Sequence, residues 1–154
     1  MGDIIREQTR RRGLDPDSKN TGEVMKALRK ELGEAAVAKL CLEKIAELGT
    51  ETVVVDGIRS MAEVEEFTKR ADVLLVAVHA SPRRRYSLLK ERGRMDDPLS
   101  YEMFLERDRR ELGVGIALAI AMADEVISNE HSSSVKLSKQ TAEVVERWLV
   151  SVDP

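Results

Sequence analysis

Three short stretches gather residue types suited to gripping negative charge. In VVVDGIRS, Asp56 follows an apolar run, Gly57 lets the backbone turn and Arg59 stands just beyond. An arginine there offers a planar fork of donors to a phosphate, and Asp56 can accept a hydrogen bond or hold a magnesium-bound water. In MGDIIRE, Asp3 and Arg6 lie three apart and share one face if a helix begins near Ile4, with Ile4 and Ile5 turned inward. In SPRRRYSLLKERGRMDDP, Arg83, Arg84, Arg85, Lys90, Arg92 and Arg94 crowd together with one acid, Glu91, among them. Gly93 interrupts the helix between Arg92 and Arg94, and Arg107 follows on the return helix. Mobile arginines beside a glycine suit a lid that closes over negative charge and excludes water. Each stretch has a plainer reading: a strand-end turn with a surface Asp–Arg pair, an acidic helix start, and a solvated basic face.

Other chemistries find less support. No His, Cys and carboxylate set has metal-ligand spacing, and nothing suggests a nucleophilic triad. His79 reads as a buried, hydrogen-bonding histidine at a strand end, and His131, in a Ser-rich loop, as an exposed one. The lone Cys41 excludes an internal disulfide, reads as a small buried apolar residue and fits a reducing cytoplasm. The net charge of −3 argues against a general nucleic-acid binder, and Tyr86 alone interleaves with the arginines. No run is apolar enough for a membrane helix. With 42% hydrophobic and 34% charged residues, the 154 residues suit one globular domain with a core of its own.

The elements that must position these groups alternate in type. Apolar spacing predicts helices over 22–33 and 34–48, the second stopping at Gly49. Residues 52–56 read as a strand buried on both faces, followed by a helix from the capping box Ser60–Glu63 to about Arg70. A second apolar strand spans about 73–78, and Pro82 sits in the first turn of the basic helix. After the polar break Met95-Asp96-Asp97-Pro98 come helices near 99–112 and 115–123, a short strand in ADEVISNE and a closing helix over 138–150. Such alternation predicts an α/β fold, a parallel sheet with helices on both faces. Ligands then bind beyond the carboxyl ends of the strands, which here carry Asp56–Arg59, His79–Arg83 and Ser128–Asn129.

Taken together, the motifs resemble the nucleoside-monophosphate-kinase group of P-loop proteins. GDIIRE resembles the acceptor-site motif of adenylate kinases and the Asp-containing segment of dephospho-CoA kinases. DGIRS resembles the adenylate-kinase strand-end motif, RRRYSLLKERGR with Arg107 the arginine lid, and ADEVISN the late strand that runs into the adenine-side loop. The order GDIIRE, RRGL, DGIRS, VHASP, RGR-DDP and AD-I-N is similar to that of an archaeal family described as adenylate-kinase-related or dephospho-CoA-kinase-like. The resemblance covers essentially the whole chain. It implies a cytoplasmic kinase acting with ATP and Mg2+ on a nucleotide-like acceptor. Gly2, Asp3, Arg6, Gly57 and Arg59 would hold that acceptor, with Asp56 near the magnesium, reached through water. Arg92, Arg94 and Arg107 would close over the transferring phosphoryl group, and Arg92 and Asn129 would face the nucleotide cofactor. Asp3 and Asp56 are both candidates for a catalytic base. Phosphoryl transfer suits such a set, because it needs positioning and charge neutralisation more than covalent chemistry.

One departure is large. The family begins with a strand, a GxxxxGK[ST] loop that cradles donor phosphates, and a helix, and no such loop occurs in these 154 residues. A strand–loop–helix unit of roughly 30 residues is therefore expected ahead of Met1, with the chain an incomplete domain, inactive by itself. In the family that strand lies between the partners of 52–56 and 73–78, so their backbone groups would lack neighbours here. The expected layout is a single domain with acceptor-side helices over about 3–48 and a lid over about 82–112. The alternatives are a non-catalytic nucleotide- or phosphate-binding module, a degenerate kinase relative, an RNA contact through the basic helix, a homo-oligomer and a strand-donating partner.

Overall fold

The computed structural model describes residues 1–94 and 97–152. The chain is α/β, mostly helical with a small parallel sheet. In order come α1 (Gly2–Arg11), α2 (Ser18–Leu32), α3 (Ala36–Leu48), α4 (Met61–Thr68), β1 (Val76–His79), α5 (Pro82–Arg92), α6 (Tyr101–Val114), α7 (Ile116–Ala121), β2 (Glu125–Ser128) and α8 (Ser134–Val152). None of the helices among the described residues is long and apolar enough to cross a membrane.

The first half of the chain folds around two adjoining apolar clusters. Ile5 of α1 packs with Val24 and Leu28 of α2 and with Ala36 and Val37 of α3. Ile4, the next residue round α1, packs with Ala38, Cys41 and Phe67. Consecutive isoleucines on one helix thus face two clusters, as their inward placement in the sequence predicts. Burial pushes the Cys41 thiol up, in keeping with a small apolar role. Caps start the helices where the sequence places polar residues. Asp17 accepts the Asn20 N–H at 2.7 Å to begin α2, and Ser60 accepts the Glu63 N–H at 3.3 Å to begin α4. The capping box closes differently from expectation. The Glu63 carboxylate reaches past Ser60 to accept the Arg59 N–H at 2.8 Å. Its other oxygen takes Arg29 of α2 at 3.3 Å, an ion pair buried almost completely.

The sheet is smaller than the sequence suggests. β1 and β2 pair in parallel, Val76 opposite Glu125 and His79 opposite Ser128. The Asp124 side chain extends the ladder by accepting the Leu75 N–H at 2.8 Å, and the Asn129 N–H reaches the His79 carbonyl at 2.8 Å. Residues 52–56 do not form the expected strand. Val53–Val55 lie in no ladder because no neighbouring strand is present among the described residues, and Val54 stands 87% exposed. β1 is likewise shorter than the predicted 73–78, starting at Val76 where β2 begins to face it. Helix α7 packs against β1 and α8 against β2. In parallel register, Ala77 and Val126 share one face, and Val78 and Ile127 the other. Ala77 and Ile127 are buried while Val78 and Val126 are exposed. Each face is therefore covered over one strand and open over the other.

Candidate functional site

The backbone brings two of the three charged stretches into contact. The Met1 ammonium donates to the Asp56 carbonyl at 3.0 Å, docking the start of α1 onto the DGIR turn. Gly57 has φ +93°, a conformation side chains rarely adopt, and a Cβ there would come within 3.8 Å of Met1. A Cβ on Gly2 would meet the Arg6 guanidinium at 3.4 Å. Glycine at both positions leaves room for that guanidinium and for the close approach of the two segments. Arg6 donates to Asp3 at 2.6 Å, one turn back on the same helix face. The bond and charge of Arg6 hold the exposed Asp3 carboxyl below its usual range, with smaller help from the Met1 ammonium and Arg94. The Asp56 side chain is exposed at the turn.

Arg59 leaves the same turn in another direction. Its main-chain N–H is held by Glu63, while its side chain forms an ion pair with Glu111 of α6. Gly115, which ends α6 with φ +112°, lies so near that a Cβ would approach the Arg59 carbonyl at 3.9 Å. The end of α6 thus rests directly on the DGIR turn.

The basic stretch is tied down more firmly than a free lid requires. Ser81 accepts the Arg84 N–H at 3.3 Å to cap α5, and Glu130, just past β2, takes the Ser81 N–H at 2.6 Å and its hydroxyl at 2.8 Å. Those two donors hold the Glu130 carboxyl below its usual range. Arg85 forks onto Asp108 of α6, with one branch at 2.7 Å, and lies over the Phe104 ring. Beside this pair Tyr101 stacks on Phe104, and Tyr86 meets Tyr101 edge-on and Phe104 at a tilt. Gly93 is left-handed, φ +61°, and ends α5 as expected.

Three of the predicted lid arginines converge on one acid. Asp97 accepts from Arg92 Nε at 3.1 Å and from the Arg94 N–H at 2.8 Å, with Arg107 at 3.9 Å. Burial opposes ionisation of Asp97. The hydrogen bonds from Arg92 and Arg94, with the charges of Arg92 and Arg107, outweigh it and hold the carboxyl low. The polar break falls partly outside the described residues, at Met95 and Asp96.

One sequence reading needs correction. His79 is exposed, because it lies at the end of a short edge strand rather than beneath a helix. Asn129 is engaged through its backbone N–H at the end of β2. His131 is exposed, as expected. The acids that engage the arginines, Asp97, Asp108 and Glu111, were not visible as site residues. Asp97 alone left a local signal, lying five residues after Arg92. The other two are paired by the tertiary fold.

Among the described residues, no group of His, Cys, Asp and Glu is arranged to hold a metal ion. The arginines of these stretches are held by carboxylates: Arg6 by Asp3, Arg59 by Glu111, Arg85 by Asp108 and Arg92 by Asp97.

No family model matches the chain. A UPF0200 protein of Methanocaldococcus jannaschii is 47% identical over 134 residues, covering 86% of this chain and 68% of the relative. One of Thermococcus onnurineus is 45% identical over 154 residues, covering 97% and 83%, and one of Methanosarcina mazei is 40% identical over 151 residues, covering 97% and 80%. At that level of identity and coverage, the chain belongs to the UPF0200 family.

Proposed function

We propose that this chain forms the acceptor side and closing arginines of a nucleotide-kinase-like phosphotransferase, which moves the γ-phosphate of ATP to a nucleoside monophosphate or dephospho-CoA. The observation that carries the reading is the docking of α1 onto the DGIR turn through Met1 and Asp56, with Arg6 and Arg59 issuing from the two joined segments. Arg6 and Arg59 supply forked donors to the acceptor phosphate. Arg92, Arg94 and Arg107 supply positive charge. Asp3 and Asp56 are the available bases.

ATP would supply the transferable phosphoryl group and Mg2+ its charge neutralisation. The described residues do not fit the donor phosphates, so the donor's place is left unassigned. The test is direct. The purified 154-residue chain is expected to bind AMP with dependence on Arg6 and Arg59 and to show no ATP turnover. Supplying a strand and GxxxxGK[ST] loop ahead of Gly2 should confer magnesium-dependent ATP binding. Measurable turnover by the chain alone would refute the division into acceptor and donor parts. A second reading is a non-catalytic phosphate-binding module, whose arginines hold a phosphate ligand without transferring it. Phosphate ligands binding equally well with and without the added segment would select it.

A further inference from the structure

We propose that Glu111 is a built-in substitute for ligand phosphate: its carboxylate occupies the Arg59 guanidinium, and a ligand phosphate displaces it and loosens the end of α6. This deepens the acceptor-site reading above and rests on it. Arg59 and Glu111 are both mostly covered, with side chains 25% and 20% exposed. Glu111 Oε2 is buried against Arg59 Nε, and no other donor among the described residues reaches that oxygen. A buried carboxylate oxygen held by a single partner leaves acceptor capacity unmet. A phosphate, with more oxygens and the freedom to align with the guanidinium fork, makes the bonds that Glu111 does not.

The surroundings make the exchange mechanical as well as electrostatic. The main chain of Arg59 is anchored by the buried Glu63, which is itself held by Arg29, so the turn stays fixed while the side chain changes partner. On the other side, Gly115 seats the end of α6 against the Arg59 carbonyl and Ser60. Glu111 and Gly115 are thus two contacts of the same helix end, and release of the first leaves the second to carry it. Because α6 also carries Arg107 and Asp108, a phosphate at Arg59 is communicated to the partners of Arg92 and Arg85.

The experiment is a calorimetric titration of AMP into the 154-residue chain and three variants. Glu111→Gln keeps the shape and removes the competing charge, so it should bind AMP about two- to fivefold more tightly than wild type, the range set by one partly exposed ion pair. Glu106→Gln changes the net charge equally from an exposed position on α6 and should bind as wild type does. Arg59→Gln should bind much more weakly. A Glu111→Gln affinity equal to or below wild type, with Arg59→Gln still weakened, overturns the substitute role and leaves the site reading intact. Equal tightening by Glu106→Gln also overturns it, reducing the effect to net charge. Arg59→Gln binding AMP like wild type, or no binding by any variant, overturns the site reading itself.

Discussion

The helical first half and the strand region differ in where their partners come from. Around α1–α4, every large apolar side chain at the centre meets another from the same stretch: Ile5 with Leu28 and Val37, Ile4 with Cys41 and Phe67. Around the strands, residues of the same apolar character stand open. Val54, Val78 and Val126 are all exposed, and an open cleft lined by Met1, Ile4, Ile45, Leu48 and Val53–Val55 runs beside the unpaired segment. The β-branched sequence is alike in buried and exposed places. A helix completes its own backbone hydrogen bonds, whereas a strand must find them on a neighbour. Amphipathic helices can therefore complete a core that lone strands cannot.

That contrast can be broken by substitution. The largest effect belongs to the packed half: Phe67→Ala should cost about 3–5 kcal/mol in denaturant unfolding, through lost burial and the cavity left behind. A loss under about 1 kcal/mol would mean that the two halves are equally loose. Next comes the lid. Asp97→Ala removes the carboxylate that accepts from Arg92 Nε and the Arg94 N–H and should cost about 1–3 kcal/mol.

The same residue sets an acid limit. The folded Asp97 carboxyl titrates below its ordinary value of 3.8, so its stabilisation is complete above that value and is lost as pH falls through the lower folded value. Thermal melts across that window should show a step in the wild type that Asp97→Asn lacks, with Asn already less stable at neutral pH. Ser60→Ala, which removes the α4 cap, should cost about 1 kcal/mol. Smallest of all, Val54→Thr should shift stability by no more than about 0.5 kcal/mol, as for any exposed position. A Val54 effect as large as that of Phe67 would show that the segment is buried in solution by something outside these residues.

The same division governs what could be read from the residues alone. The helices were legible because their signals are local: the Ser60 cap, the Pro82 start, the Gly49 and Gly93 stops, and the spacing of Val24 and Leu28. The inward pair Ile4–Ile5 follows from helix geometry, and the buried Cys41 from its being a lone, small apolar residue. The 52–56 strand was misplaced because apolar β-branched residues report a tendency to pair, not the presence of a partner. His79 failed similarly, its burial depending on a cover that the short edge strand lacks. Of the candidate site, the contact between GDIIRE and DGIR was foreseen only as a shared chemistry. The Met1–Asp56 bond that makes it spatial joins residues 55 apart. Glu111 and Asp108 were illegible, since each sits in a run of mixed charge and is singled out only by the helix opposite.

The parallel pairing of β1 with β2 also bears on how quickly the chain folds. Contacts among α1–α3 link neighbouring helices, whereas the strand ladder joins residues 49 apart, with α5, α6 and α7 in the loop between. Closing a long flexible loop is slow, and its cost grows with the length left unstructured. The Arg85–Asp108 fork and the packed rings join α5 to α6 within that loop, and if they form before the strands meet they shorten it. The grip that steadies the arginines would then double as a folding aid, and weakening it should slow sheet formation while leaving the first three helices to assemble at their own pace.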